Sequence, residues 1–104
     1  MLFMMYGIDG PDGARIRAEK RETHFDYLKQ NEAIMVLGGA TLADADDART
    51  GSVLIINVAN RAAADAFAAR EPFNVVGLFK ELHVTRMRRG QWYPENAPAS
   101  AEGE

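Results

Sequence analysis

Apolar residues fill most of residues 2–8 and stop at Asp9-Gly10-Pro11-Asp12-Gly13, a dense turn signal, so the chain opens with a predicted strand. Asp12 suits a helix N-cap, and residues 14–30 follow with no proline or glycine among good helix formers. Ile34 to Leu37 is apolar and partly β-branched. It passes through Gly38-Gly39 to Leu42 and into a polar loop over residues 44–50, which predicts a second strand. Residues 53–58, mostly Val, Ile and Leu, form the third. Asn60 caps a short alanine-rich helix over residues 61–70, which ends before Pro72. The connector opened by Glu71-Pro72-Phe73 closes at Gly77. Residues 78–88 then alternate, with Leu82 and Val84 set against Glu81, His83 and Thr85, and give the fourth strand.

The order β-α-β-β-α-β predicts an α+β, ferredoxin-like fold: a four-stranded antiparallel sheet with both helices on one face. Residues 1–89 form that domain, and residues 90–104 read as a weakly structured tail to which Trp92 and Tyr93 give an anchor. The other face of the sheet should alternate with polar residues, yet Ile34-Met35-Val36-Leu37 and Val53-Leu54-Ile55-Ile56 are unbroken. A second copy placed sheet to sheet is the simplest cover, which predicts a homodimer. The alternative is a tail folded across the sheet of a monomer.

Composition narrows the function. At 104 residues, with 47% apolar residues but 17 alanines, the larger side chains suffice for one two-layer domain. The net charge of −3 gives no cationic surplus for nucleic acid. The absence of cysteine excludes disulfides, cysteine-based metal centres and thiol nucleophiles. No apolar run approaches the roughly 18 residues of a membrane span, and residues 1–8 lack a basic leader and a cleavage site, so a cytoplasmic protein without a membrane partner is expected.

The first helix carries the informative anomaly. At about 100° per residue, Arg15, Glu19, Glu22, Asp26, Lys29 and Gln30 form a solvated face. The opposite stripe holds Arg17, Arg21, His24 and Leu28, flanked by Ala14, Ala18 and Phe25 on one side and Ile16, Lys20 and Tyr27 on the other. Cations facing a sheet need partners or water. Either they snorkel past the helix edge, or they line a cleft for an anionic ligand with His24 as its titratable group. Other candidates are weaker. His83 belongs to surface or interface, Asp44, Asp46 and Asp47 to a solvated turn, and Arg86, Arg88 and Arg89 to a basic strand end. Ser52 lacks a nucleophile-elbow context, and Gly38-Gly39 opens no phosphate-binding helix.

Taken together, Arg21-x-x-His24-Phe25-x-Tyr27-Leu28, Leu37-Gly38-Gly39, Gly51-Ser52 and Glu71-Pro72-Phe73, continuing through Val75-Val76 to Gly77-Leu78-Phe79, resemble the YciI-like (YCII-related) family. The resemblance implies a dimeric α/β barrel whose site joins the helix-one histidine to the acid of an Asp-Pro-(Phe/Tyr) motif. Carried over, these are His24 and Glu71. Two positions depart from the pattern: glutamate stands for aspartate at 71, and Ala40 stands where relatives often have proline. Capping alone favours aspartate over glutamate before a proline at the first helical position, so Glu71 either reaches His24 in another rotamer or marks a site that has lost its acid.

The expected function is acid/base chemistry without a cofactor, an elimination or isomerisation of a small anionic or phenolic substrate. His24 would be the general acid/base, Glu71 its orienting carboxylate and Arg17 or Arg21 the anion binder, with Tyr6 and Ser52 as further hydrogen-bonding groups. One histidine and one carboxylate are too few for a closed metal site. A non-catalytic dimeric metabolite-binding protein is the alternative. A third reading makes the arginine stripe a set of ion pairs crossing a dimer.

Overall fold

The computed structural model describes residues 1–103. Four strands, β1 (Leu2–Asp9), β2 (Met35–Leu42), β3 (Arg49–Asn57) and β4 (Phe79–Met87), pair antiparallel in the order β2-β3-β1-β4. Two helices, α1 (Gly13–Gln30) and α2 (Arg61–Arg70), complete the βαββαβ order, and a four-residue helix, α3 (Pro72–Val75), follows α2. This is the expected ferredoxin-like sheet.

Alternation along β1 and β3 divides the strands between two faces. Phe3, Met5, Leu54 and Ile56 point to the helices and form the core with Ala64, Phe67 and Ala68 of α2, while Tyr27 and Leu28 of α1 pack against it. Leu2, Met4, Tyr6 and Ile8 of β1, with Val53 and Ile55 of β3, point the other way and are only half-buried. Leu37 of β2 pairs with Ile55 and is 62% exposed. The unbroken apolar runs are therefore shared between the core and an open apolar sheet face. Beyond β4, Gly90, Gln91 and Trp92 wall a groove at one end of that face with Leu2, Leu37, Ile55 and Met87.

Three local expectations change. Asp12 occupies the position before α1, but its side chain caps nothing and instead lies 3.5 Å from Arg15. The connector expected after α2 is partly helical, because Pro72 supplies a preset first helical residue and the Glu71 side chain accepts from Asn74 N at 3.2 Å. Glutamate therefore does cap here. β3 also begins four residues earlier than the apolar run, since Arg49, Gly51 and Ser52 continue the ladder with β2. By contrast Asn60 caps α2 as expected, accepting from Ala63 N at 2.9 Å.

Candidate functional site

The buried arc of α1 is Gly13, Arg17 and His24, with Ile16, Tyr27 and Leu28 half-buried. It is rotated roughly 30° toward the Tyr27 side of the stripe read from the sequence. That rotation keeps Arg17 and His24 inward and carries Arg21 and Phe25 into solvent. Arg21 is thus an exposed cation, a correction to the expected inward pair.

His24 is 7% exposed, and its Nδ1 hydrogen-bonds to Oε1 of Glu71. Glu71 is fully buried, and its other oxygen takes the Asn74 amide, so both carboxylate oxygens are engaged. An ionised carboxylate only accepts, which assigns a proton to Nδ1, so that in the neutral form of the ring the lone pair stands on Nε2. Among the described residues no protein group bonds Nε2, and no buried polar side-chain atom lacks a partner. Nε2 is therefore open to solvent. Behind the imidazole, Phe73 stacks at 4.0 Å between centroids with 17° between planes, which fixes the ring tilt while the carboxylate fixes its rotation.

Arg17, two turns earlier on α1, is equally ordered. Its Nε and Nη2 donate to the two oxygens of Asp9 at 2.8 and 2.9 Å, and Nη2 also meets Gly51 O at 2.8 Å and Ser52 Oγ at 3.0 Å. Both charged side chains are more than nine-tenths buried. A pair with this bidentate geometry offsets much of the desolvation of its charges. The carboxylate partner of Arg17 thus lies within the chain. Its Cζ lies 5.1 Å from the centroid of Phe73, so that one ring touches both Arg17 and His24. Asp9 escaped the sequence reading as part of a turn. The signal was the period of two, since Phe3, Met5, Gly7 and Asp9 fall on the helix-facing side of β1. Gly13 leaves the space it needs: a Cβ there would sit 2.9 Å from Asp9 Oδ2.

Ser52 joins this cluster only through Arg17. Tyr6 does not join it. It stands on the open sheet face, stacked on His83 at 6.4 Å, and His83 lies 3.6 Å from Glu81. The Tyr27 hydroxyl donates to Phe67 O at 2.9 Å. Burial, and secondarily the negative charge of Glu71, push the phenol above its ordinary value, against a smaller lowering by Arg70. Among the described residues no cluster of three or more acidic, histidine or cysteine side chains is arranged to hold a metal. Among the described residues no helix is long and apolar enough to cross a membrane. Two hollows of the surface, one lined by Met1, Leu2 and residues 86–89 and the other beside Trp92, include neither His24 nor Glu71.

A family model described as the YCII-related domain matches residues 1–88. Among solved structures, the chain is similar to 5-chloro-2-hydroxyhydroquinone dehydrochlorinase from Burkholderia phenoliruptrix AC1100, in complex with 2,5-dihydroxybenzoquinone. The two are 33% identical with a TM-score of 0.79, over 86% of this chain and 96% of that one. No curated protein matches the sequence.

Proposed function

The chain belongs to the YCII-related family, and we propose that it is an enzyme using His24 as general acid/base, without a bound cofactor, in an elimination or isomerisation of a small anionic or phenolic substrate. The observation that carries this reading is the asymmetry of His24: Nδ1 held by a buried carboxylate, Nε2 without a protein partner among the described residues. In an elimination, neutral Nε2 takes a substrate proton. The electron pair left behind forms the new double bond, and the leaving group departs with its own bonding pair. Glu71 stabilises the imidazolium so formed and prevents the ring from turning. For an isomerisation the same nitrogen returns the proton at a second atom. Arg17 offers a fixed positive charge for the oxyanion that develops. The dehydrochlorinase supports this class, since loss of chloride from a hydroxylated ring is an elimination on a phenolic compound.

We further propose that the protein works as a homodimer joined through the open sheet face, where Leu37, Val53 and Ile55 present apolar surface that no element of the chain covers fully. The test of function is turnover across halogenated hydroquinones and small enolisable acids. His24→Ala should lower the rate by about 10²-fold or more. A rate unchanged by that substitution would overturn the assignment. Ligand binding with no chemical change in any compound would favour the metabolite-binding alternative.

A further inference from the structure

One end of the sheet gathers positive charge that no described residue neutralises. Arg86, Arg88 and Arg89 line a hollow of about 560 Å³ with Met1, Leu2 and Met87, and no acidic residue lines it. Among the described residues the three guanidinium groups meet no carboxylate and no hydrogen-bond acceptor. Arg89 alone has a partner, the Trp92 ring, whose centroid lies 5.5 Å from its Cζ. The α-ammonium of Met1 is bonded to neutral acceptors, Val58 O at 2.7 Å and Asn57 Oδ1 at 3.2 Å, and adds a fourth positive charge. The groove beside Trp92, of about 310 Å³, adjoins this hollow: Leu2, Met87, Arg88 and Arg89 line both, and the groove adds Val36, Leu37 and Ile55. Cationic in one part and apolar in the other, the pair has the size of a small-molecule site.

We propose that the two hollows form one binding site for a small amphipathic phosphate monoester, its phosphate held by Arg86, Arg88 and Arg89 and its hydrocarbon part lying along Leu2, Met87 and Trp92. Three unpaired guanidinium groups favour a head with more than one charge. A phosphate monoester carries about −1.5 to −2 at pH 7 and offers three strong acceptor oxygens, which guanidinium groups take in charge-assisted hydrogen bonds. An inorganic ion would leave the groove unfilled, and an alcohol would leave the charge unpaired. The concave form takes in one dissolved molecule, whereas the head groups of a bilayer call for a flat or convex basic surface. The site is separate from His24, which lines neither hollow. Leu37 and Ile55 of the groove belong also to the face proposed for the dimer, which places the site at the rim of that contact.

Trp92 is the single tryptophan of the chain, so its fluorescence reports on the groove directly. Octyl phosphate, titrated into the whole protein below its micellar concentration, should give a saturable change. By calorimetry its affinity should exceed those of inorganic phosphate and of octanol by about tenfold or more, since only the ester fills both parts of the site. Added salt should weaken the binding, because the guanidinium groups are exposed. Arg86→Gln combined with Arg88→Gln, at two exposed positions, should lower the affinity for octyl phosphate about tenfold and leave that for octanol unchanged. Lys20→Gln, which removes an exposed charge on α1, should alter neither. An unchanged affinity in the folded double variant would overturn the proposal. So would the absence of a saturable response in the unaltered protein, or an affinity for the ester no greater than for inorganic phosphate. Co-sedimentation with phosphatidic acid vesicles, without binding of the soluble ester, would assign the arginines to a membrane surface and overturn it as well. Each of these failures leaves the reading of His24 untouched.

Discussion

Glu71 joins two duties in one side chain. One oxygen orients His24, the other holds the amide that starts α3, and no part of the carboxylate is exposed. The carboxylate thereby bridges from the cap to the histidine. Glu71→Ala should therefore act on stability as well as on chemistry. Leaving the Nδ1 proton and the Asn74 amide without their acceptor costs about 1–3 kcal/mol, to be measured by urea unfolding. Glu71→Gln keeps the shape and should retain most of that stability while lowering kcat at least tenfold, because an amide does not stabilise imidazolium as a carboxylate does. His24 and Glu71 were legible in the family motifs, and His24 also in its place on the helix. Whether the acid reached the histidine was not legible, since that depends on where α3 packs against α1. Asp9 was hidden by its sequence neighbours, all of which speak for a turn.

At the scale of elements, α1 is tied to its surroundings by polar contacts more than by large apolar side chains: Arg17 to β1 and β3, His24 to the start of α3, Tyr27 to the end of α2. This explains why its hydrophobic stripe looked interrupted. The sequence order of the four strands and two long helices followed from turns, caps and breakers, and the structure follows it closely. The rotation of α1 did not follow, because the arc containing Arg17 and His24 becomes buried only where acceptors wait on other elements. The Tyr27 contact gives a test by pH. Its phenol is raised above the ordinary value of 10.0, so the neutral form is favoured in the folded state. Its contribution is complete below about pH 10 and is lost as pH rises through the folded value. Tyr27→Phe should lower stability by about 1 kcal/mol at neutral pH through the lost hydrogen bond, and should flatten the alkaline decline in thermal midpoint relative to the parent.

At the scale of the molecule, the sheet has one face closed by helices and one left open. The open face is apolar along β1 and β3, with Leu37 and Met87 further exposed toward its edges. Burying such a face against a copy of itself removes it from water at roughly 25 cal/mol per Å². Sedimentation should accordingly find a dimer, and Ile55→Glu, on the open face and only half-buried within the chain, should yield monomers that retain the parent circular dichroism. A monomeric parent at micromolar concentration would refute that arrangement. The mildly acidic net charge of the chain has no buried counterpart of opposite sign, since among the described residues buried Arg17 is paired with buried Asp9 and His24 with buried Glu71, while most other acids lie in solvent.

Local physics decided much of this protein in the sequence itself. Period-two and period-3.6 patterns with glycine, proline and asparagine punctuation determined the element order, and that order with its short connections leaves few ways to build the sheet. What only the tertiary structure decided are the meetings between distant positions: Asp9 with Arg17 and Ser52, His24 with Glu71, and Phe73 against both Arg17 and His24. The physical reason is that a buried charge is tolerable only when its partner arrives from another element, and chain-local preferences carry no information about that arrival.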